Sequence, residues 1–234
     1  MSSISQKLQA VHESIRSATI LGGRSADTVR LLAVSKTFGA DAVLEARAAG
    51  QRAFGENYLQ EALDKMIAVK ATSTTADAIE WHFIGPIQSN KTRLIAENFD
   101  WVHTIEREKI AQRLSDQRPS DLASLNVCLQ VNISGEASKS GVAPDQALAI
   151  AHKIAALPRL TLRGLMAIPE PNADVVQQRA AFRQVRKLFL TLQQNRLVLD
   201  TLSMGMSADM EIAIAEGATI VRIGSAIFGK RDYS

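Results

Sequence analysis

Thiol chemistry is all but missing from this 234-residue chain, which holds one cysteine, Cys128. A lone thiol closes no internal disulfide, and within the apolar run Val127-Cys128-Leu129 it reads as a small buried hydrophobe. Long hydrophobic runs are missing too. The longest stretch free of charged side chains, 122–135, has 14 residues and contains Asn126, Gln130 and Asn132, so it is too short and too polar to span a bilayer. Neither charge sign dominates: 27 Lys and Arg against 24 Asp and Glu leave +3, which favours neither a nucleic-acid nor a membrane-surface partner. The first 16 residues carry Lys7, His12, Glu13 and Arg16 and no apolar core ahead of a small-residue cleavage site. No secretory signal is read, and a cytoplasmic location is expected. The histidines His12, His82, His103 and His152 share no metal-ligand spacing, so no zinc site is expected.

What remains is an ordinary globular composition, 46% hydrophobic and 22% charged, consistent with one domain over 1–234. Eight short apolar runs read as strands: 31–35, 52–55, 81–85, 101–105, 127–133, 162–168, 201–205 and 219–224. Helical spacing fills the intervals at 40–49, 58–69, 90–99, 107–115, 144–157, 174–194 and 208–216, and an amphipathic segment, 4–20, precedes the first strand. Spreading 234 residues over eight units gives about 29 per unit, enough for a strand, a helix and two short loops. The spacing therefore predicts an α/β fold, a single (β/α)8 TIM barrel with an extra N-terminal helix. A doubly wound open sheet is the alternative, although the first strand lacks the glycine fingerprint of a dinucleotide fold. Punctuation agrees with these elements: Gly50 ends one helix, Pro144 opens another, Pro158 follows it and Gly217 stands as a C′ residue after Glu216.

In such a barrel chemistry gathers at the C-terminal strand ends. Lys36, Asn57, Gly85, His103, Thr104, Asn132 and Ser134 stand there, followed by Met166, 203–207 and 222–225. A lysine ending an apolar strand can lose its proton in a desolvated mouth and act as a nucleophile toward a carbonyl, or it can be merely the first solvated loop residue. The Gly- and Ser-containing turns after the seventh and eighth strands, with a short helix at 226–228, could present backbone N–H groups to a phosphate, or could only turn the chain. Ser207 and Ser225 add hydroxyls. Arg222 lies two residues before Gly224, on the same side of the strand, and when buried needs an acceptor, either an acidic side chain or a ligand atom. His82 and His103 read as hydrogen-bonded core residues.

Three apparent motifs are discounted. The run from Gly224 to Lys230 lacks the Ser or Thr of a Walker A loop, because Arg231 follows. Asn132-Ile133-Ser134 matches a glycosylation acceptor with no secretory signal to make it relevant. Arg179, Arg183, Arg186 and Lys187 lie opposite Ala181, Val185, Leu188 and Leu192 and read as the solvated face of a helix.

Several longer motifs resemble the pyridoxal phosphate homeostasis proteins: Ala33-Val34-Ser35-Lys36, Phe54-Gly55-Glu56-Asn57-Tyr58, the run from Trp81 to Lys91, the run from Ser203 to Asp209, and the run from Val221 to Gly229. The resemblance implies a barrel similar to that of alanine racemase, carrying pyridoxal 5′-phosphate (PLP) as a Schiff base on Lys36. By motif position Ser207, Gly224 and Ser225 would hold the phosphate, Arg222 would face the pyridine nitrogen and Asn57 would lie beside the cofactor. Ser225 stands where many relatives have Thr, which keeps the hydroxyl. An arginine at the pyridine nitrogen weakens the ring as an electron sink, which counts against transamination and elimination but not against racemisation. Alanine racemases bring a tyrosine base from a second domain, whereas this chain has only Tyr58 and Tyr233 and eight units use up its length. The expected function is therefore PLP homeostasis and cofactor delivery to apo PLP-dependent enzymes, by a monomer with no catalytic residues. A PLP-dependent amino-acid racemase or lyase is the alternative, and Lys36 with the phosphate-type loops would also suit a phosphosugar aldolase.

Overall fold

Apolar strand runs alternating with amphipathic helices close into an eight-stranded parallel barrel in the computed structural model, which describes residues 3–72, 78–134, 140–170 and 174–229. The strands are β1 (Arg30–Val34), β2 (Ala53–Glu56), β3 (Glu80–Phe83), β4 (Trp101–Ile105), β5 (Leu125–Gln130), β6 (Leu160–Met166), β7 (Thr201–Ser203) and β8 (Ile220–Ile223). β1 pairs with β8 from Arg30 opposite Ile220 to Ala33 opposite Ile223, and that pairing closes the ring. The open-sheet alternative is thereby excluded.

The helices are α1 (Ile4–Leu21), α2 (Ala40–Ala48), α3 (Leu59–Ala71), α4 (Thr92–Asn98), α5 (Glu108–Gln117), α6 (Ala147–Ala155), α7 (Val175–Gln194), α8 (Met210–Ala215) and α9 (Ser225–Phe228). α1 starts with a capping box between Ser3 and Gln6 and buries Leu8, Val11, Ile15 and Ala18, one helical face. Asp174 caps α7 by accepting from the Val176 N–H. Gly217, at φ +104°, ends α8 as anticipated. Pro144 departs from expectation, because α6 begins at Ala147. The Gln146 N–H donates to the Ala143 carbonyl at 3.0 Å, so Pro144 sits second in a turn, where its fixed φ fits, and the helix starts only after that turn.

The basic face of α7 is more than a solvated stripe. Arg179 and Arg183 both reach Glu216 at the end of α8, at 3.2 and 3.1 Å, and tie the two helices together.

Strand alternation sends Phe54 and Trp81 outward to the helices and Leu32, Ala53 and Ile220 inward, where they form a small apolar group. Trp101, Cys128 and Met166 make a second interior group. Cys128 is fully buried, and burial pushes its thiol up to about 12, so it is an inert core residue.

Barrel interiors are usually filled by branched aliphatic side chains, but this one also holds a polar chain. His82 Nε2 lies 2.7 Å from Glu80 Oε1, His82 Nδ1 lies 2.8 Å from His103 Nε2, and His103 Nδ1 lies 2.8 Å from Ser203 Oγ. Both imidazoles are buried, and burial holds them below the usual imidazole range, for His82 against the opposing pull of the Glu80 carboxylate. Glu80 is partly buried, which opposes its ionisation, yet the hydrogen bond from His82 and the charge of Arg30 bring it down to about 2.

The signs of these shifts fix the effect of acid. An unfolded histidine takes up a proton below 6.5, whereas the folded imidazoles resist it. Stability must therefore fall as pH drops below that value, by about 1.4 kcal/mol per pH unit for each imidazole kept neutral. The denaturant midpoint should drop between about pH 7.5 and about pH 5.5, and His103→Gln should reduce the slope. A wild-type midpoint that is flat across that window would contradict neutral burial of the pair.

Candidate functional site

Side-chain alternation on β1 carries one step past the strand end. Leu32 and Val34 face into the barrel, so Ser35 turns outward and Lys36 inward. Lys36 opens into a cavity of about 630 Å³ at the C-terminal ends of the strands. Asn57, Ser207, Arg222, Gly224 and Ser225 line the same cavity, so all six residues singled out by sequence meet in one place. Val34, Phe38, Ile84, Met166, Ile168 and Met206 supply apolar walls. A larger cleft, about 840 Å³, runs outside the barrel between α1, α7 and α8, but its lining is mostly small residues and it lies away from the strand ends.

Lys36 is half-buried, and its neighbours are held on both sides. Outside the barrel wall Ser35 Oγ donates to Glu56 Oε1 at 2.5 Å. Lys65 of α3 donates to the Ser35 carbonyl at 2.8 Å, to Glu56 Oε1 at 2.7 Å and to Glu61 Oε1 at 3.1 Å. Glu61 in turn accepts from the Thr37 N–H at 2.6 Å, which holds Thr37 in a left-handed conformation at φ +68°. The Lys65 and Glu56 side chains are 3% and 0% exposed. Burial pushes the Glu56 carboxyl up, against Lys65 and Ser35, which favour its charge. This cluster escaped the sequence reading. Its one signal is that Lys65 falls on the buried side of α3 with Ala62 and Val69.

Asn57 continues β2 into the mouth. Its Oδ1 is buried and has no hydrogen-bond partner among the described residues. Its carbonyl oxygen would lie 2.1 Å from a Cβ at Gly85, so glycine is required there for the two loops to approach. Beside the cavity, an annexe of about 370 Å³ shares Asn57, Ile84 and Ile168.

Arg222 is buried, and burial lowers it to about 10, with Asp209 as the opposing charge, so it stays cationic at neutral pH. Of the two acceptors anticipated, the acidic side chain is not bonded to it among the described residues. Nη1 donates to the Ser203 carbonyl at 2.7 Å and to Ser203 Oγ at 2.9 Å, and Nη2 donates to the Ala167 carbonyl at 3.1 Å. Strand-end carbonyls on β6 and β7 thus replace an acidic partner, and the Nε–H makes no hydrogen bond among the described residues.

The loops after β7 and β8 leave donors open. Met206 donates its N–H to Asp209 Oδ1 at 2.5 Å, and the Gly224 carbonyl accepts from Ile227 and Phe228, both at 2.9 Å. The N–H groups of Ser207, Ala208, Ser225 and Ala226 make no hydrogen bond among the described residues. His82 and His103 stay below the cavity floor as core residues. Tyr58 is exposed and faces a neighbouring pocket, while Tyr233 and the end of the discounted phosphate-loop match, Lys230 and Arg231, lie outside the described residues.

The sequence profile of the alanine racemase N-terminal domain family matches residues 8–232. The pyridoxal phosphate homeostasis protein of Pseudomonas aeruginosa is 61% identical over the whole chain and 98% of its own length. That of Escherichia coli K12 is 53% identical over the whole chain and 99% of its own length. Among solved structures, PipY of Synechococcus elongatus, determined with PLP bound, superposes with a TM-score of 0.84 at 36% identity, covering 97% of this chain and 100% of PipY. The alanine racemase of Corynebacterium glutamicum shares the fold alone, with a TM-score of 0.66 at 19% identity, and this chain spans 62% of its length.

Lys65→Met leaves Glu56 buried without its cation and should cost about 3 to 5 kcal/mol in denaturant unfolding. The double variant Lys65→Met with Glu56→Leu removes both charges and should recover most of that loss. Equal losses for the single and double variants would show that the pair is not coupled.

Proposed function

Because the chain belongs to the alanine racemase N-terminal domain family and, within it, to the pyridoxal phosphate homeostasis proteins, we propose that 1–234 is a single PLP-binding barrel domain. It holds PLP on Lys36, maintains intracellular PLP and passes it to apo PLP-dependent enzymes. The observation that carries the reading is the meeting of Lys36, open N–H donors, an orphaned Asn57 Oδ1 and a cationic Arg222 in one cavity. PLP is a flat ring with a phosphate at one corner, a nitrogen at another and an aldehyde that condenses with amines to a Schiff base.

The residues fit that group. Lys36 supplies the amine, on a backbone pinned by Glu56, Lys65 and Glu61. The turns through Ser207 and through Gly224 and Ser225 receive the phosphate with the two serine hydroxyls and the open N–H groups at 207, 208, 225 and 226, an arrangement suited to an anion. Arg222 donates to the pyridine nitrogen and, being cationic, disfavours a proton there. Asn57 accepts a hydrogen bond beside the ring, and Ile84, Met166 and Ile168 keep water off its faces.

A carrier is favoured over a racemase by what lines this cavity. No His, Tyr, Cys, Asp or Glu is among its described lining residues, so Lys36 is the one side chain there suited to accept a proton. Racemisation needs an acid and a base on opposite faces of the substrate carbon. In this reading the protein is a cytoplasmic monomer without nucleic-acid or membrane partners. Its charge is nearly balanced, and among the described residues no helix is long and apolar enough to cross a membrane.

Incubating the protein with PLP should produce the visible absorption band of lysine-bound PLP. Borohydride should fix the label on the peptide containing Lys36, and Lys36→Ala should abolish both. The proposal fails if the wild type shows no band or if Lys36→Ala retains it. Amino-acid racemisation at about 1 per second or faster would instead support the enzyme alternative.

A further inference from the structure

We infer that the interior chain Glu80, His82, His103 and Ser203 positions Arg222 as a hydrogen-bond donor to the cofactor's pyridine nitrogen, an inference that rests on PLP binding at this mouth. The chain begins at the N-terminal edge of β3, where Arg30 holds Glu80 at 2.7 Å, and ends at the cavity, crossing the barrel through four strands.

Its proton order follows from the groups themselves. An ionised Glu80 can only accept, so His82 Nε2 carries a hydrogen and donates to it. A neutral His82 then has a bare Nδ1, which takes the Nε2 hydrogen of His103. The neutral His103 has a bare Nδ1, which takes the Ser203 hydroxyl hydrogen. Ser203 has one hydrogen and has given it away, so its Oγ can only accept, and Arg222 Nη1 donates to it at 2.9 Å. Every hydrogen points from Arg222 toward Glu80, and this ordering is assigned from the hydrogen-bond network.

Two consequences follow at the mouth. Ser203 Oγ and the Ser203 carbonyl together grip Nη1, while the Ala167 carbonyl grips Nη2, which fixes the guanidinium plane. All three acceptors are neutral, so no carboxylate bonded to the guanidinium competes with a ligand for its charge. The Nε–H has no protein acceptor among the described residues. A pyridine nitrogen facing this edge is an acceptor, and a proton on it would meet a fixed cation. Turning Ser203 into a donor would undo the grip, and the two histidines prevent that. Ser203 and His103 are therefore positioning residues, acting through Arg222.

The test is the ring-nitrogen resonance of full-length protein loaded with [15N]PLP, read together with the visible band of lysine-bound PLP. Wild type should show the unprotonated, hydrogen-bonded nitrogen. Ser203→Ala and His103→Phe should shift the resonance upfield toward pyridinium while keeping the band, and Ser203→Thr, which restores the hydroxyl, should return it. Glu80→Gln, at the partly exposed far end, removes the anchoring charge while leaving every buried side chain in place, and should shift the signal the same way by less. Wild-type resonances in Ser203→Ala and Glu80→Gln, with PLP bound in both, would overturn the inference while leaving the proposed function standing. Failure of wild type to take up PLP would overturn both.

Discussion

The two-residue period of a β-strand governs the mouth of this barrel. Once Leu32 and Val34 face the interior, Ser35 must face the helices and Lys36 the cavity. The same phase puts Gly55 and Asn57 inward with Glu56 between them facing α3, and puts Arg222 and Gly224 inward on β8. A slip of one residue in β1 would exchange an amine at the cavity for a serine and bury a lysine against α3, where Lys65 already stands. Register at the β1 and β8 seam, Ala33 opposite Ile223, is thus also the register of the site.

Two buried polar networks stand on opposite sides of the barrel wall. Outside, Lys65 joins β1, β2 and α3 around the backbone of Lys36. Inside, the histidine chain joins β3, β4, β7 and β8 beneath Arg222. Buried charge and buried imidazole are costly compared with aliphatic packing, and neither network is needed to close a barrel. The inner network ends on Arg222 in the cavity, and the outer one holds Ser35 and Thr37 on either side of Lys36. Orientation at the mouth, rather than stability, is the economical explanation for both, since a hydrogen bond fixes direction and an aliphatic contact does not.

Much of this was legible in the sequence because a strand buried on both faces reads as an apolar run, and the first polar residue after it marks the C-terminal rim. That rule located Lys36, Asn57 and the Gly and Ser turns, and the motif resemblance supplied roles for them. The eight-unit spacing predicts closure of the sheet, but strand order, which separates a barrel from an open sheet, became visible only where β1 meets β8, 190 residues later in the chain. The acceptors of Arg222 were missed for a related reason: two are main-chain carbonyls, which carry no side-chain signature. Lys65 and Glu56 were hidden by ordinary charged-residue statistics, which place both on the surface. Pro144 was read as a helix start because a first-turn proline and a second-position turn proline look alike until the hydrogen bond from Gln146 to Ala143 is seen.

A crystal structure of the protein soaked with PLP addresses the central claim most directly. The binding mode proposed for this barrel predicts electron density continuous from Lys36 Nζ to the cofactor, the phosphate against the N–H groups at 207, 208, 225 and 226, and the ring nitrogen facing Arg222. Density attached to another lysine, or a phosphate lodged elsewhere than in the loops after β7 and β8, would contradict it.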